Sequence, residues 1–127
     1  MDKDEVIDIL REREEMLLDC KLRKEAQKKE LERLRQDIAE DENVKLCEMY
    51  EDALRQTSTE EKKINYVWFY FLQLPQKQRE LLNELYVNRS GWEYVLHEFP
   101  GTKSKWCRQK ELALDSILKN MQEMGEE

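Results

Sequence analysis

The feature that most constrains the fold of this chain is an uninterrupted run of helix-forming residues over its first third. Residues 2–40 contain no glycine or proline and are rich in glutamate, lysine, arginine and leucine. These side chains lose little freedom in a helix, and nothing in the run breaks one. The run therefore predicts a long charged helix and argues against a compact α/β domain at this end of the chain.

A seven-residue repeat follows the predicted helix. One seam position holds Leu10, Leu17, Lys24, Leu31 and Ile38. The other seam position holds Val6, Arg13, Cys20, Gln27 and Leu34. A seam that is apolar at its ends and polar in its middle is typical of a coiled coil with a weak centre. It favours pairing with another helix, so we expect a homodimer or higher homo-oligomer through the N-terminal helix. The alternative is a single charged helix packed on its own C-terminal domain.

A new apolar stripe begins after residues 41–43, which break the helix or shift its phase. The stripe contains Leu46, Met49, Tyr50, Ala53 and Leu54. It belongs either to a second helix folded back on the first or to a continuation of the first. Residues 57–60, Thr-Ser-Thr-Glu, indicate a short linker with a capping hydroxyl for the next helix. We therefore predict a charged oligomerisation arm over residues 1–59 and a second helical domain over residues 60–127.

The second domain begins with the most apolar stretch of the chain, INYVWFYFLQL at residues 64–74. Its aromatic and β-branched content also fits a strand, but its charged lead-in favours a helix. A further helical pattern covers residues 76–87, with Leu81, Leu82, Leu85 and Tyr86 on one side. The predicted fold class is therefore all-α: a long charged helix or helical hairpin, followed by a small helix-turn-helix domain.

Turn and cap signals place two more helices near the C-terminus. Ser90, with Glu93 three residues later, predicts the capping box of a short helix over residues 92–99. Pro100 and Gly101 break that helix, and Thr102 can cap a last helix from Lys103 to about Met124. The inward positions of the last helix are predicted to be Trp106, Ala113, Leu114, Ile117 and Met121. A short helix, a tight turn and a longer helix form the helix-turn-helix plan, whose second helix enters the major groove.

The charge distribution supports this plan. The chain carries a net charge of −7, which argues against coating of nucleic acid by charge alone. Residues 101–110 nevertheless carry four basic side chains and no acid. The predicted partner is double-stranded DNA, and the candidate DNA-binding residues are Thr102, Lys103, Ser104, Lys105, Arg108 and Gln109. Lysines can meet phosphates, arginine can bind guanine with two hydrogen bonds, glutamine can read adenine, and hydroxyls can donate to phosphate.

Other function classes find little support in the sequence. Three widely spaced cysteines and a single histidine, His97, predict no disulfide framework and no metal site. No phosphate-binding glycine loop or nucleophile motif is present, so we predict no catalytic residue, no cofactor and no enzyme. The acidic N-terminus has no signal-length apolar segment, and no run is long enough for a membrane span. A cytoplasmic location is expected.

From Leu74 onward, the sequence resembles region 4 of bacterial sigma factors, and more closely phage late-transcription regulators of the ArpU and RinA type. The matching features are Leu74-Pro75, Arg79, Leu85-Tyr86, Ser90-Gly91-Trp92-Glu93, Val95, Thr102-Lys103-Ser104, Trp106, Arg108 and Ala113-Leu114. Three features differ: Pro100-Gly101 replaces the usual Gly-aromatic turn, Trp106 is larger than the usual valine or isoleucine, and His97 stands where the family tends to have an acidic residue. The resemblance implies DNA binding near a promoter, with RNA polymerase as a further partner, in a protein of phage or mobile-element origin.

Three alternative functions remain open at this point. The chain could copy region 4 in order to bind RNA polymerase or another regulator without binding DNA. It could be a small terminase-like packaging subunit, since these subunits combine a helix-turn-helix with an oligomerising helix. It could also be a purely structural coiled-coil protein that does not depend on the basic patch of residues 101–110.

Overall fold

The computed structural model describes residues 1–36 and 41–125, and it is built from helices. The elements are α1 (Lys3–Gln36), α2 (Asp41–Leu72), α3 (Gln76–Leu82), a π-helical turn (Asn83–Val87), α4 (Trp92–Glu98) and α5 (Lys103–Gly125). No strand occurs within these described ranges, so the predicted all-α class is confirmed. The aromatic stretch 64–74 lies mainly in α2, as expected from its charged lead-in. No helix in the described part of the chain is both long and apolar enough to cross a membrane.

Packing divides the described chain into two compact units. Residues 14–64 form the first, which we call the hairpin unit, and residues 1–13 with the chain from Asn65 on form the second, the terminal unit. The backbone of α1 leaves helical geometry at Glu12 (φ −123°, ψ 19°), close to where the first unit begins. The assignment of residues 1–59 to an arm and 60–127 to a DNA-binding domain concerns function and stays a prediction.

In the hairpin unit, α1 and α2 run antiparallel. Three side-chain pairs show this: Arg23 Nη2 to Glu60 Oε2 (2.8 Å), Thr57 Oγ1 to Gln27 Oε1 (3.2 Å) and Arg35 Nη2 to Glu51 Oε1 (2.8 Å). Going from the first pair to the last, residue numbers rise on α1 and fall on α2.

The heptad seam within this unit is therefore covered by the chain itself. Cys20, Leu31 and Leu34 are buried, and Gln27 contacts α2. Of the two predicted arrangements, a single helix or a helical hairpin, the structure shows the hairpin. The expectation of oligomers through the N-terminal helix stays a prediction. An uncovered apolar seam no longer supports it, because α2 of the same chain covers the seam. Ile38, the last seam position, lies outside the described residues.

The predicted linker at residues 57–60 is wrong, because these residues continue α2 without interruption. Thr57 is 2% exposed, and its Oγ1 donates to the carbonyl of Ala53 at 2.9 Å. Thr59 donates in the same way to the carbonyl of Arg55 at 2.9 Å. A hydroxyl bonded to the carbonyl one turn earlier is satisfied inside the helix, so it needs no cap position.

The terminal unit has a broad apolar core. Its buried side chains are Val6, Ile9, Leu10, Val67, Phe71, Leu74, Leu81, Leu82, Leu85, Tyr86, Val95, Phe99, Trp106, Ala113, Leu114 and Ile117. The predicted inward residues of the last helix are thus buried, except that Met121 is half-buried. The start of α1 also belongs to this unit: Lys3 Nζ pairs with Glu111 and Asp115 of α5, and the Arg13 guanidinium lies 4.1 Å from the ring centre of Trp68.

The capping box predicted at Ser90 and Glu93 is also wrong. Gly91 is the N-cap residue of α4, and no side chain caps this helix. Ser90 instead faces the π-helical turn, where its Oγ donates to Glu84 Oε2 at 3.0 Å and its amide donates to the Glu84 carbonyl at 2.8 Å. Arg89 precedes it with a φ of 56°, a left-handed conformation that turns the chain back toward the preceding helix.

Candidate nucleic-acid interface

The turn between α4 and α5 is held by Trp106. Four residues, 99–102, connect the two helices, which is the length expected for a helix-turn-helix. The Trp106 indole packs edge-on against Phe99 with ring centres 5.2 Å apart, and its Nε1 donates to the carbonyl of Pro100 at 3.3 Å. Trp106 is 4% exposed. The larger side chain that sets this sequence apart from the usual pattern therefore closes the turn.

Gly101 gives this turn its backbone shape. Its φ is 129°, a conformation that residues with a Cβ rarely adopt. A Cβ at this position would also lie 3.2 Å from Cδ of Lys105. The tight turn brings the first residues of α5 directly after the buried Phe99, so the start of α5 is fixed relative to α4.

The amino end of α5 is capped by Thr102, as the sequence predicts. The Lys105 amide donates to Thr102 Oγ1 at 3.3 Å, and the first turn contains no acidic residue. Amides at a helix amino end are not all used within the helix, and the aligned peptide dipoles place partial positive charge there. This end of α5 therefore favours an anion even before its side chains are considered.

Two of the candidate side chains lie opposite the buried face of α5, and the others are exposed at its amino end. Successive residues turn by about 100° in a helix, so Ser104 and Arg108 point away from the core side of Trp106. Thr102, Lys103, Ser104, Lys105 and Arg108 are all exposed. The structure therefore brings five of the six candidate residues together at one exposed helix end.

The three cations of this end are not neutralised by the chain's own acids. Within residues 1–36 and 41–125, Lys103, Lys105 and Arg108 form no ion pair with a carboxylate. Lys103 Nζ lies 5.5 Å from the ring centre of Trp92, and Lys105 Nζ lies 4.9 Å from that of Trp106. An aromatic ring attracts a cation but carries no net charge, so these contacts leave the positive charge of both lysines uncompensated.

Lys110, at the far end of the basic patch, differs from these three. Its Nζ lies 3.4 Å from Glu111 Oε1, and its side chain is 23% exposed. Glu111 also accepts from Lys3, and this bond, followed by the one from Lys110, holds the pKa of the Glu111 carboxyl below its ordinary value. The patch of residues 101–110 is therefore available only over its first two turns.

Gln109, the sixth candidate residue, is turned toward α3. Its Oε1 accepts a hydrogen bond from Gln78 Nε2 at 3.1 Å, and its side chain is half-buried. The amide is thus held by the protein, and one lone pair of Oε1 is already in use. The sequence does not predict the contact of Gln109 with Gln78, because the two glutamines are 31 residues apart and neither belongs to a motif.

An acidic cleft limits the surface that a polyanion can approach. Glu80, Glu84 and Glu98 line a cavity of about 250 Å³ together with Lys77, Asn83, Tyr94 and Phe99. The hydrogen bond from Gln76, and then the charge of Lys77, hold the pKa of the Glu80 carboxyl below its ordinary value. A cleft lined by three carboxylates repels phosphates, so this cleft is unfavourable for a nucleic acid, unlike the amino end of α5.

The sequence also left the supporting aromatic residues without a role in the site. Trp92 lies beneath Lys103, and the buried Trp106 lies beneath Lys105. His97, with 84% of its side chain exposed, takes part in none of these contacts, and its nearest charged neighbour is Glu98. Among the described residues, no three histidine, cysteine or acidic side chains are grouped so that they could hold a metal ion.

Comparison with known proteins does not add a family to this geometry. No family model, no curated protein and no solved structure matches this chain. The resemblance to sigma-factor region 4 and to ArpU- and RinA-type regulators therefore rests on the sequence from Leu74 onward and stays a prediction.

Proposed function

We propose that this chain is a sequence-specific duplex DNA-binding protein that places the amino end of α5 in the major groove. One observation carries the proposal: a chain with 29 acidic and 22 basic side chains exposes Lys103, Lys105 and Arg108 together, and none of the three pairs with a carboxylate of the described residues. Each exposed cation that meets a phosphate releases counterions, which is the main source of affinity for DNA.

The side chains at this end divide into two roles. Arg108 carries a planar guanidinium that can form two hydrogen bonds with O6 and N7 of a guanine, so we assign it base recognition. Lys103 and Lys105 neutralise phosphates, and the hydroxyls of Thr102 and Ser104 donate to phosphate oxygens. The bond from Gln78 directs Gln109 away from this face, so we assign Gln109 to holding α3 against α5.

The sequence resemblance extends this proposal to transcription. It implies binding near a promoter by a regulator of phage or mobile-element origin, with RNA polymerase as a further partner. The support specific to the structure is the fixed turn: Trp106 and Gly101 set the angle at which α5 leaves α4. A fixed helix end can present the same side chains to each binding site.

The test is selection of duplexes from fragmented genomic DNA at a stated salt concentration, followed by affinity measurements on a selected duplex. Arg108→Ala should cost about 1–3 kcal/mol of binding free energy and relax the preference at a G·C position. Lys103→Ala should weaken binding to all sequences alike and reduce the salt dependence by about one phosphate contact.

Lys119→Ala is the matched control, because Lys119 is an exposed cation on the same helix, about 24 Å beyond Lys103 at 1.5 Å per residue. This variant should bind like the parent protein. The proposal is contradicted if no duplex is selected, or if Arg108→Ala and Lys103→Ala bind as the parent does.

A further inference from the structure

The outward face of α2 carries three large apolar side chains that nothing in the described structure covers. Tyr66, Phe69 and Leu72 are 43%, 53% and 46% exposed, and they follow one another at three-residue spacing. Val67 and Phe71 on the opposite face of the same helix are buried in the terminal unit. An exposed row of this kind costs free energy in water and is a common mark of a binding surface. We call Tyr66, Phe69 and Leu72 the α2 stripe.

The surroundings of the stripe contain no carboxylate from the same stretch of chain. Residues 62–79 include no aspartate or glutamate, although the chain has 29 acidic residues and a net charge of −7. Two copies of such a protein repel each other over most surfaces. At the α2 stripe they bring together two stretches of α2 that contain no acid. The polar side chains nearest to the stripe along the helix are Asn65 and Gln73, which are uncharged, and Lys62, which is basic.

The stripe is also complementary to itself. If two copies of α2 cross antiparallel about Phe69, a two-fold axis places Phe69 against Phe69 and Tyr66 against Leu72 of the other copy. The same operation places Asn65 opposite Gln73, so that one side-chain amide meets another. A surface that matches its own reversed copy is what a two-fold symmetric interface requires.

We propose that a second copy of this chain docks on the α2 stripe to form an antiparallel two-fold dimer. Stable interfaces bury roughly 800 Å² per partner. Three half-exposed side chains at about 100 Å² each supply roughly 300 Å² per partner, less than half of that area. Because the buried area is small, the dimer is reversible and depends on protein concentration. This inference does not rest on DNA binding, although the dimer would present two copies of α5 to paired half-sites.

Sedimentation equilibrium of the full chain without DNA, from about 1 to 100 µM, tests the dimer. The parent should shift from 15.5 kDa toward twice that mass as its concentration rises. Phe69→Glu should remain monomeric throughout, because it places two carboxylates together at the symmetry axis. Since Phe69 is a surface residue, the helical circular dichroism of this variant should match that of the parent, and so should its thermal unfolding at about 1 µM, where the parent is also monomeric.

Leu22→Glu is the control, because Leu22 is 55% exposed and lies on α1 in the hairpin unit. This variant should dimerise like the parent. The proposal is overturned if the parent stays monomeric, including the case in which Phe69 serves a different protein. It is also overturned if Phe69→Glu still dimerises, or if only Leu22→Glu abolishes the dimer, as pairing through the exposed face of α1 would require.

A mixing experiment tests the register of the dimer. A Tyr66→Lys chain and a Leu72→Glu chain should each dimerise more weakly than the parent. Mixed in equal amounts, they should form a heterodimer more tightly than either forms a homodimer, since lysine then faces glutamate across the axis. Absence of this preference would contradict the antiparallel arrangement about Phe69.

Discussion

The hairpin unit and the terminal unit are both helical, but different interactions hold them together. Among the described side chains, residues 14–64 contribute five buried ones: Cys20, Leu31, Leu34, Thr57 and Ile64. The terminal unit contributes sixteen, including Phe71, Phe99 and Trp106. The hairpin adds polar pairs across its two helices, of which Arg23–Glu60 is about 40% exposed on both sides.

The difference indicates where a precise binding geometry can be built. Burial of apolar surface contributes about 25 cal/mol per Å², so a broad aromatic core fixes its helices firmly. Half-exposed ion pairs contribute little, because water screens them and long side chains lose freedom when they pair. The candidate site lies on the unit with the broad core, as expected for a site that must present side chains at fixed positions.

The largest expected effect is in the terminal unit. Trp106→Ala should lower the free energy of unfolding by about 3–5 kcal/mol, because it removes a buried aromatic side chain and the bond to the Pro100 carbonyl. Urea unfolding followed by circular dichroism measures this. Trp106→Phe keeps the contact with Phe99, so its free energy of unfolding should fall by less than half as much as that of Trp106→Ala. A loss below about 1 kcal/mol for the alanine variant would contradict the role given to this core.

A smaller effect is expected in the hairpin unit. Leu34→Ala should lower the opening free energy of α1 amides in residues 14–36 by about 2–4 kcal/mol, since Leu34 is only 4% exposed in a narrow seam. Native-state hydrogen exchange measures it. Leu22→Ala, at a 55% exposed position on the same helix, should leave the exchange rates unchanged. Equal effects of the two variants would mean that α1 is not packed through its seam.

The smallest effect concerns the ion pair across the hairpin. A double-mutant cycle with Arg23→Ala and Glu60→Ala should give a coupling free energy below about 1 kcal/mol that decreases with added salt. Thermal unfolding of the four proteins measures this. A coupling above about 2 kcal/mol would show that polar pairs, rather than the apolar seam, hold the hairpin, and the contrast between the units would disappear.

The sequence predicts the elements of the fold better than their partners. The helical character of the stretch 64–74, the last helix and its Thr102 cap follow from local spacing and cap chemistry. The structure confirms the last helix and its cap, and it confirms the aromatic helix as far as Leu72. The linker at 57–60 and the Ser90 cap are wrong because hydroxyls that favour caps can also bond within a helix or to a turn nearby. The apolar seam of α1 predicts that another helix packs against it, but it does not predict that this helix is α2 of the same chain.

The same limit applies to the candidate site. A local run without acids indicates the exposed end of α5, and five of its six residues are exposed there. The exception, Gln109, is decided by Gln78 on another helix, a contact that no local pattern contains. The turn-closing role of Trp106 likewise depends on where the Pro100 carbonyl lies in space.

Photo-cross-linking can identify the residue of α5 that touches DNA. A photo-cross-linking amino acid is placed at Ser104 in one protein and at Lys119 in another, and each is irradiated with a selected duplex. We expect a cross-link from position 104 and none from position 119. A cross-link from position 119 without one from position 104 would contradict insertion of the amino end of α5 into the major groove.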